Sequence, residues 1–228
     1  MTNARFALYF APAPDHPLWA AGCQWLQRDA SLPEDALPQT LRSWIAAPRR
    51  YGFHATFKAP FRLRADIDEA SLLHAVRAFA AERPAFAMPP LEVAMLADFL
   101  ALRPIHPVDG QHPLRQLADA CVERFEPLRA RPTGEELARR DPAGMSTRQR
   151  ELLERFGYPY VLEEWRFHMT LSDAFRGVSK PQQDAMAAQA RSHFAAALAL
   201  PLHCEQLAIF VQCRADQDFR LAHRVSLC

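Results

Sequence analysis

Two short stretches of the sequence carry an imidazole and a hydroxyl at the same spacing. They read Phe-His-Ala-Thr-Phe at 53–57 and Phe-His-Met-Thr-Leu at 167–171. The alternation of apolar and polar residues predicts two β-strands, because successive side chains of a strand point to opposite faces. His and Thr then share one face, about 6–7 Å apart along the strand. An imidazole exchanges a proton near neutral pH, and a hydroxyl can donate a hydrogen bond to a negatively charged oxygen.

A single histidine on a strand is more often a core or edge residue hydrogen-bonded to backbone than a catalytic group. A bare His-x-Ser/Thr match is also common by chance in a sequence with 9 histidines. Two matches in the same five-residue context favour the functional interpretation. We therefore predict that His54 and His168 form an acid/base pair, and that Thr56 and Thr170 donate to negative charge that develops during reaction. Either histidine could be the base, because the two motifs have the same pattern of residues.

Five side chains near the motifs are candidates for substrate binding. Lys58 and Arg166 extend the two polar rows and could bind phosphate, although solvated charges at strand ends are the alternative. Tyr9, Tyr51 and Tyr158 could contact a sugar or a base, although packing with a hydrogen-bonded hydroxyl is the alternative.

Length and composition limit the kinds of partner that the protein can have. The 228 residues fit one large domain or two intimate lobes. The net charge of +1 provides no global basic field, so we expect no long nucleic acid partner. Apolar runs are too short for a signal peptide or a membrane span, which predicts a cytoplasmic protein without a membrane partner. The 5 cysteines are widely spaced and suggest neither structural zinc nor disulfides. We expect a monomer.

The elements that must position the two motifs are predicted in the same order twice. A strand at 5–10 and a helix capped by Asp15 precede the first motif. After each motif the spacing of apolar residues predicts a helix and then two strands. This is a weak internal duplication, and two lobes related by a pseudo-twofold axis would bring the motifs together across a cleft. We therefore treat 1–228 as a single bilobal domain.

The segment 127–157 interrupts this repetition, because it is charged and rich in turn residues. Ser146 and Gly157 mark the ends of a predicted helix within it. We expect an insertion or a lid, and an ordinary surface connection is the alternative.

The sequence around both motifs is similar to a known family. The paired motifs resemble those of the two-histidine (2H) phosphoesterase superfamily. The longer strings at 51–61, 157–161 and 166–171, together with 5–12, resemble a DUF1045-type branch that is associated with phosphonate metabolism. The resemblance implies a bilobal, pseudo-twofold α+β fold, in which two mostly antiparallel sheets form a concave cleft and the helices lie outside. It also implies hydrolysis of a cyclic phosphodiester without a metal.

On this resemblance we expect a phosphodiesterase without a cofactor, whose small phosphorylated substrate is a cyclic ribose phosphate linked to phosphonate catabolism. A 2′,3′-cyclic nucleotide or RNA-end cyclic phosphodiesterase is one alternative. A non-catalytic protein that binds nucleotides or RNA ends is another. A metal-dependent hydrolase would need several ligands at metal-binding spacing, which the sequence does not offer near His54 or His168.

Overall fold

The computed structural model describes residues 4–32, 43–131 and 144–228. Within these ranges the strands form a seven-stranded sheet of order β4-β5-β6-β2-β1-β8-β9, and β3 pairs separately with β7. The strands are β1 (Arg5–Phe10), β2 (Ala55–Phe61), β3 (Phe86–Ala87), β4 (Leu91–Leu96), β5 (Phe99–Pro104), β6 (Met169–Thr170), β7 (His203–Cys204), β8 (Gln206–Gln212) and β9 (Arg220–Ser226). The helices are α1 (Pro17–Leu26), α2 (Ala46–Tyr51), α3 (Glu69–Ala80), α4 (Pro113–Arg124), α5 (Thr147–Phe156) and α6 (Lys180–Leu198).

The α+β class is confirmed, and the pairs of strands are antiparallel. The strands are not divided into the two expected sheets. The motif strands pair directly with each other, with Ala55 opposite Met169, so the two halves continue as one large sheet. The site therefore lies on neighbouring strands at the middle of a sheet.

The predicted repeat of elements is present, and its two copies are interlocked. The first copy runs β2-α3-β3-β4-β5 and the second runs β6-α6-β7-β8-β9. Helix α3 packs against β8 and β9 of the second copy, whereas α6 packs against β4 of the first. Each copy thus covers apolar surface of the other, and one hydrophobic cluster draws residues from both.

The apolar faces of the two motifs are fixed by α1 and α6. Helix α1 touches Phe53 so closely that a Cβ on Gly22 would lie 2.1 Å from the Phe53 ring. Phe194 of α6 stacks on the same ring at a centroid distance of 6.0 Å. In the second motif, the Trp25 indole of α1 donates a hydrogen bond to the Leu171 carbonyl at 2.8 Å. The helices therefore occupy one face of the motif strands, and the His and Thr side chains alternate to the other.

Local helix signals were largely correct, with one exception at α1. Ser146 and Gln149 form a capping box at α5, and Gly157 ends that helix in the left-handed conformation at φ 73°. The predicted cap of α1 at Asp15 is wrong. His16 caps this helix, and its Nδ1 accepts a hydrogen bond from the Leu18 amide at 3.1 Å. Pro17 occupies the first helical position, so the residue directly before it takes the capping role.

The segment 127–157 is described only in part, because 132–143 lie outside the described residues. Its helix α5 packs through Leu152 and Phe156 against Val122 and Val161 in a second, smaller hydrophobic cluster. Whether 127–157 acts as an insertion or a lid stays a prediction. In the part of the chain that the structure describes, no helix is long and apolar enough to cross a membrane.

Candidate functional site

The pairing of β2 with β6 brings the two histidines and the two threonines together. Because Ala55 lies opposite Met169, the same antiparallel register places His54 opposite Thr170 and Thr56 opposite His168. Side chains at such opposed positions have Cβ atoms about 4.5–5.5 Å apart. We call these four side chains the His–Thr quartet. Each half of the quartet combines the histidine of one motif with the threonine of the other.

Both imidazoles are oriented by the same hydrogen bond. The Nδ1 atom of His54 lies 2.8 Å from the Gly52 carbonyl, and Nδ1 of His168 lies 2.9 Å from the Arg166 carbonyl. A carbonyl only accepts, so each Nδ1 carries the proton and each neutral ring has a bare Nε2. Nε2 is therefore the atom that exchanges protons. The Thr56 hydroxyl lies 3.3 Å from Nε2 of His54 and can donate to it.

A glycine is needed where the His54 carbonyl partner is made. Gly52 has φ 80°, and a Cβ there would lie 2.7 Å from the Cβ of Ala30. The preceding helix α2 is held in place by Arg28, which donates to the Arg49 carbonyl at 3.0 Å. The Arg49 guanidinium in turn donates to Asp218 at 3.1 Å. The orientation of the His54 ring thus depends on a backbone conformation that favours glycine and on a partly buried ion pair between Arg49 and Asp218.

Burial keeps both imidazoles neutral in the free protein. Desolvation, with a smaller contribution from the charge of His168, lowers the pKa of His54 to about 4, and the hydrogen bond to the Gly52 carbonyl opposes this shift. Desolvation also lowers the pKa of His168, opposed by the Arg166 carbonyl. The two rings are therefore close enough to repel each other when both are charged. At neutral pH each Nε2 is ready to accept a proton, and a bound anion would favour protonation of one of them.

The quartet lies between two cavities, each lined by one of its halves. His54 and Thr170 line a cavity of about 290 Å³ together with Tyr51. His168 and Thr56 line a cavity of about 430 Å³. The Phe99 side chain lines both cavities. A ligand group bound over β2 and β6 would thus have room on either side.

Three of the five predicted binding residues line the two cavities, and the other two are buried. Arg166 and Tyr158 line the larger cavity beside His168, and Tyr51 lines the smaller one beside His54. Tyr9 is buried beneath the site, and its ring stacks on His54 at a centroid distance of 3.7 Å. Burial raises the pKa of the Tyr9 phenol well above its usual value. Tyr9 therefore supports the imidazole from below.

The expected continuation of the polar row to Lys58 is wrong. Leu8 pairs with Lys58 and Tyr9 pairs with Thr56, so β2 contains one extra residue at this point. Such a bulge shifts the alternation of side chains. Lys58 is buried, and its ammonium donates to the Val122 carbonyl at 3.1 Å and to Glu126 at 2.8 Å.

Several residues of the larger cavity were not found from the sequence. Phe99, Gln149, Glu164 and Trp165 line it beside His168. They come from three separate segments, and none has a motif of its own. The adjacency of Glu164 and Trp165 to the second motif was the one available signal. In the described residues, no group of three or more His, Cys, Asp or Glu side chains is placed to hold a metal ion.

Comparison with known proteins identifies the family. The family model DUF1045, described as a protein of unknown function, matches residues 56–220. The chain belongs to this family. It is 44% identical over 214 residues to ribose 1,5-bisphosphate phosphokinase PhnN of Janthinobacterium sp. (strain Marseille), covering 90% of this chain and 47% of that protein. It is 38% identical to the protein of the same name from Laribacter hongkongensis (strain HLHK9), covering 98% of this chain and 52% of the relative.

These relatives change the expected activity. The chain spans about half the length of the curated relatives that it matches. Both are named as kinases, which contradicts the prediction that the chain is a cyclic phosphodiesterase. A solved structure of Usb1 from Kluyveromyces marxianus with uridine monophosphate covers 97% of this chain and 99% of its own, at 10% identity and a TM-score of 0.34. That likeness is too low to support an argument.

Proposed function

We propose that this chain binds a phosphorylated ribose by its phosphate at the His–Thr quartet, and that the two imidazoles exchange protons with the oxygens of that phosphate ester. The observation that carries the proposal is the matched orientation of the histidines. Nδ1 of each ring donates a hydrogen bond to a backbone carbonyl, so Nε2 is unprotonated in the neutral ring. On the neighbouring strand, the residue opposite each histidine is the threonine of the other motif.

The chemistry of the quartet suits a phosphate group. Phosphate oxygens accept hydrogen bonds from hydroxyls and from a protonated imidazole, and such charge-assisted bonds are stronger than neutral ones. Transfer of a phosphoryl group requires that attacking and leaving oxygens lose and gain protons, which two neutral histidines near one phosphorus can provide. The negative charge of the ligand would raise the pKa of the nearer imidazole and allow it to act as an acid.

The ribose in the proposal comes from the relatives. Their printed name specifies ribose 1,5-bisphosphate, although the matched region is only about half of each of them. We also propose that the chain shares the architecture of the 2H superfamily, on the basis of the paired His-x-Thr motifs. Of the properties of that superfamily, we propose phosphate binding alone for this chain.

Calorimetric titration at pH 7 tests the binding step. We expect ribose 1,5-bisphosphate and ribose 5-phosphate to bind, and unphosphorylated ribose to bind much more weakly. His168→Asn and the double variant Thr56→Ala/Thr170→Ala should each weaken phosphate-ester binding about tenfold or more. The control His74→Asn changes an exposed histidine of α3 and should bind like the wild type.

Phosphorus NMR of the same mixtures, with and without ATP, tests the proton-transfer step. New phosphorus signals that disappear in both His54→Asn and His168→Asn would support it. Equal affinity of the quartet variants and the wild type would contradict the proposal, and turnover that survives loss of either histidine would remove that histidine from the chemistry.

A further inference from the structure

The larger cavity has a polar wall that the phosphate site does not use. This cavity is lined by His168 and Thr56 of the quartet and also by Glu164 and Gln149. Both kinds of wall enclose the same space. A ligand whose phosphate lies at the quartet would therefore extend towards Glu164.

The position of the Glu164 side chain is set by a chain of hydrogen bonds. The Oε1 atom of Gln149 accepts from the Ser146 amide at 3.1 Å as part of the capping box of α5. This fixes the direction of the amide, so that Nε2 of Gln149 donates to Oε2 of Glu164 at 3.0 Å. A carboxylate has room for further acceptance at its other oxygen. Glu164 thus presents a pre-oriented acceptor to the cavity.

The remaining walls are mainly aromatic. Phe99, Tyr158, Tyr160 and Trp165 line the cavity around the Glu164 carboxylate. Tyr158 and Tyr160 meet edge to face at a centroid distance of 5.6 Å. Ring faces favour contact with apolar C–H groups, whereas a fixed carboxylate favours hydroxyl donors. A sugar ring presents both kinds of group.

The charges in the same cavity argue against a second phosphate at this wall. Glu164 and Asp98 both line it and would repel a second phosphate, while Arg166, which also lines it, lies two residues before His168 and can attract the phosphate held at the quartet. We propose that the wall formed by Glu164 and Gln149 is a subsite for sugar hydroxyls, in which Glu164 accepts hydrogen bonds from the sugar whose phosphate the quartet holds. This inference rests on the proposed function and makes Glu164 the residue that determines specificity for the sugar.

Calorimetry with three phosphates tests the subsite. Ribose 5-phosphate carries ring hydroxyls, cyclopentyl phosphate carries a ring without hydroxyls, and inorganic phosphate carries no ring. We expect wild type to bind ribose 5-phosphate about tenfold more tightly than cyclopentyl phosphate, because a site built to bond a hydroxyl discriminates against a ligand without one. Glu164→Ala should abolish that difference and leave the affinity for inorganic phosphate unchanged. The matched control is Glu163→Ala, which alters the neighbouring exposed carboxylate that pairs with Arg148.

The outcomes separate the subsite from the phosphate site. If none of the three phosphates binds, the proposed function itself fails. If inorganic phosphate binds but ribose 5-phosphate and cyclopentyl phosphate bind equally to the wild type, only the sugar subsite is overturned. Equal losses for all three ligands in Glu164→Ala would also overturn it, because Glu164 would then act on the fold. A Glu164-dependent preference for uridine monophosphate over ribose 5-phosphate would overturn it in favour of a base subsite.

Discussion

The first and second motifs have the same sequence pattern but different surroundings. His54 leads into β2, a strand of 7 residues, and its ring is covered by Tyr9 at 3.7 Å. His168 leads into β6, a strand of only 2 residues, and its nearest aromatic neighbour, Phe99, is at 5.8 Å. The pKa of both imidazoles is lowered by burial, and that of His54 falls as far as about 4. Equivalent motifs therefore yield imidazoles in different environments.

This difference suggests a division of roles that the sequence leaves open. A ring with a pKa of about 4 is unprotonated through the physiological range, as a base must be before it reacts. We propose that His54 is the base and that His168 is the ring that protonates when a phosphate binds. The following substitutions test how far the two motifs differ.

The largest effect on stability is expected directly after the first motif, where Lys58 is buried beside Glu126. The two side chains are 4% and 22% exposed. Glu126→Ala should lower the free energy of unfolding by at least about 3 kcal/mol, because it leaves a buried ammonium without its carboxylate and with the Val122 carbonyl as its remaining acceptor. Urea denaturation measures this loss. Lys58→Met/Glu126→Ala should recover much of it, and a double variant as unstable as Glu126→Ala would show that the buried charge is not the cause.

The pH dependence of stability should report His54. The folded pKa of about 4 lies below the ordinary 6.5, so the folded protein holds the neutral ring and the unfolded chain takes up the proton first. The contribution of the neutral His54 ring to the free energy of unfolding is fully present above about pH 6.5 and is lost as the pH falls towards 4. The loss should approach about 3 kcal/mol for this shift. His54→Asn should lack this part of the pH dependence in unfolding titrations, and an unchanged slope would contradict the assignment.

A smaller effect on stability is expected at Trp165, which precedes the second motif and contacts the first. The Trp165 indole donates a hydrogen bond to the Thr56 carbonyl at 2.8 Å. Trp165→Phe should cost about 2 kcal/mol, because the carbonyl loses its donor in a partly buried place. Chemical denaturation gives the cost, and amide shifts around Thr56 in NMR spectra should move. Normal shifts there would mean that the bond does not couple the two motifs.

The smallest effect should come from the ring beneath His54. Tyr9→Leu should cost about 1 kcal/mol and raise the pKa of His54, because stacking is lost and water gains access. Tyr9→Phe keeps the ring and serves as the control. Histidine titration by NMR should show a rise for Leu and little change for Phe. The corresponding change Phe99→Leu should affect His168 less, and an equal response of both histidines would remove the asymmetry.

Local patterns in the sequence predicted much of the fold. Period-2 alternation identified β1 and both motif strands, the spacing of apolar residues identified α3, and the residues at its ends identified α5. These signals depend on neighbouring residues and on physical preferences that act over one or two turns. The repeated order of elements also followed from them.

Long-range features could not be predicted in the same way. The extra residue of β2 that turns Lys58 inward appears only in its register with β1. The hydrogen bonds of Nδ1 to the Gly52 and Arg166 carbonyls depend on backbone directions that a residue pattern does not contain. The wall proposed as a sugar subsite unites Gln149 of α5 with Glu164 from a later turn. Each of these arises from contacts between separate segments.

The exchange of helices between the two copies has a consequence for the order of events during synthesis. Helix α3 is synthesised long before β8 and β9, the strands against which it packs. Strand β2 is likewise synthesised before β6, and the two histidines come together only when these strands pair. Such distant pairings slow folding, and they leave apolar surface of the first copy uncovered in a growing chain. The quartet therefore cannot exist on a nascent chain that ends before the second motif. Assembly of the site therefore requires synthesis of the second motif, the first element of the second copy.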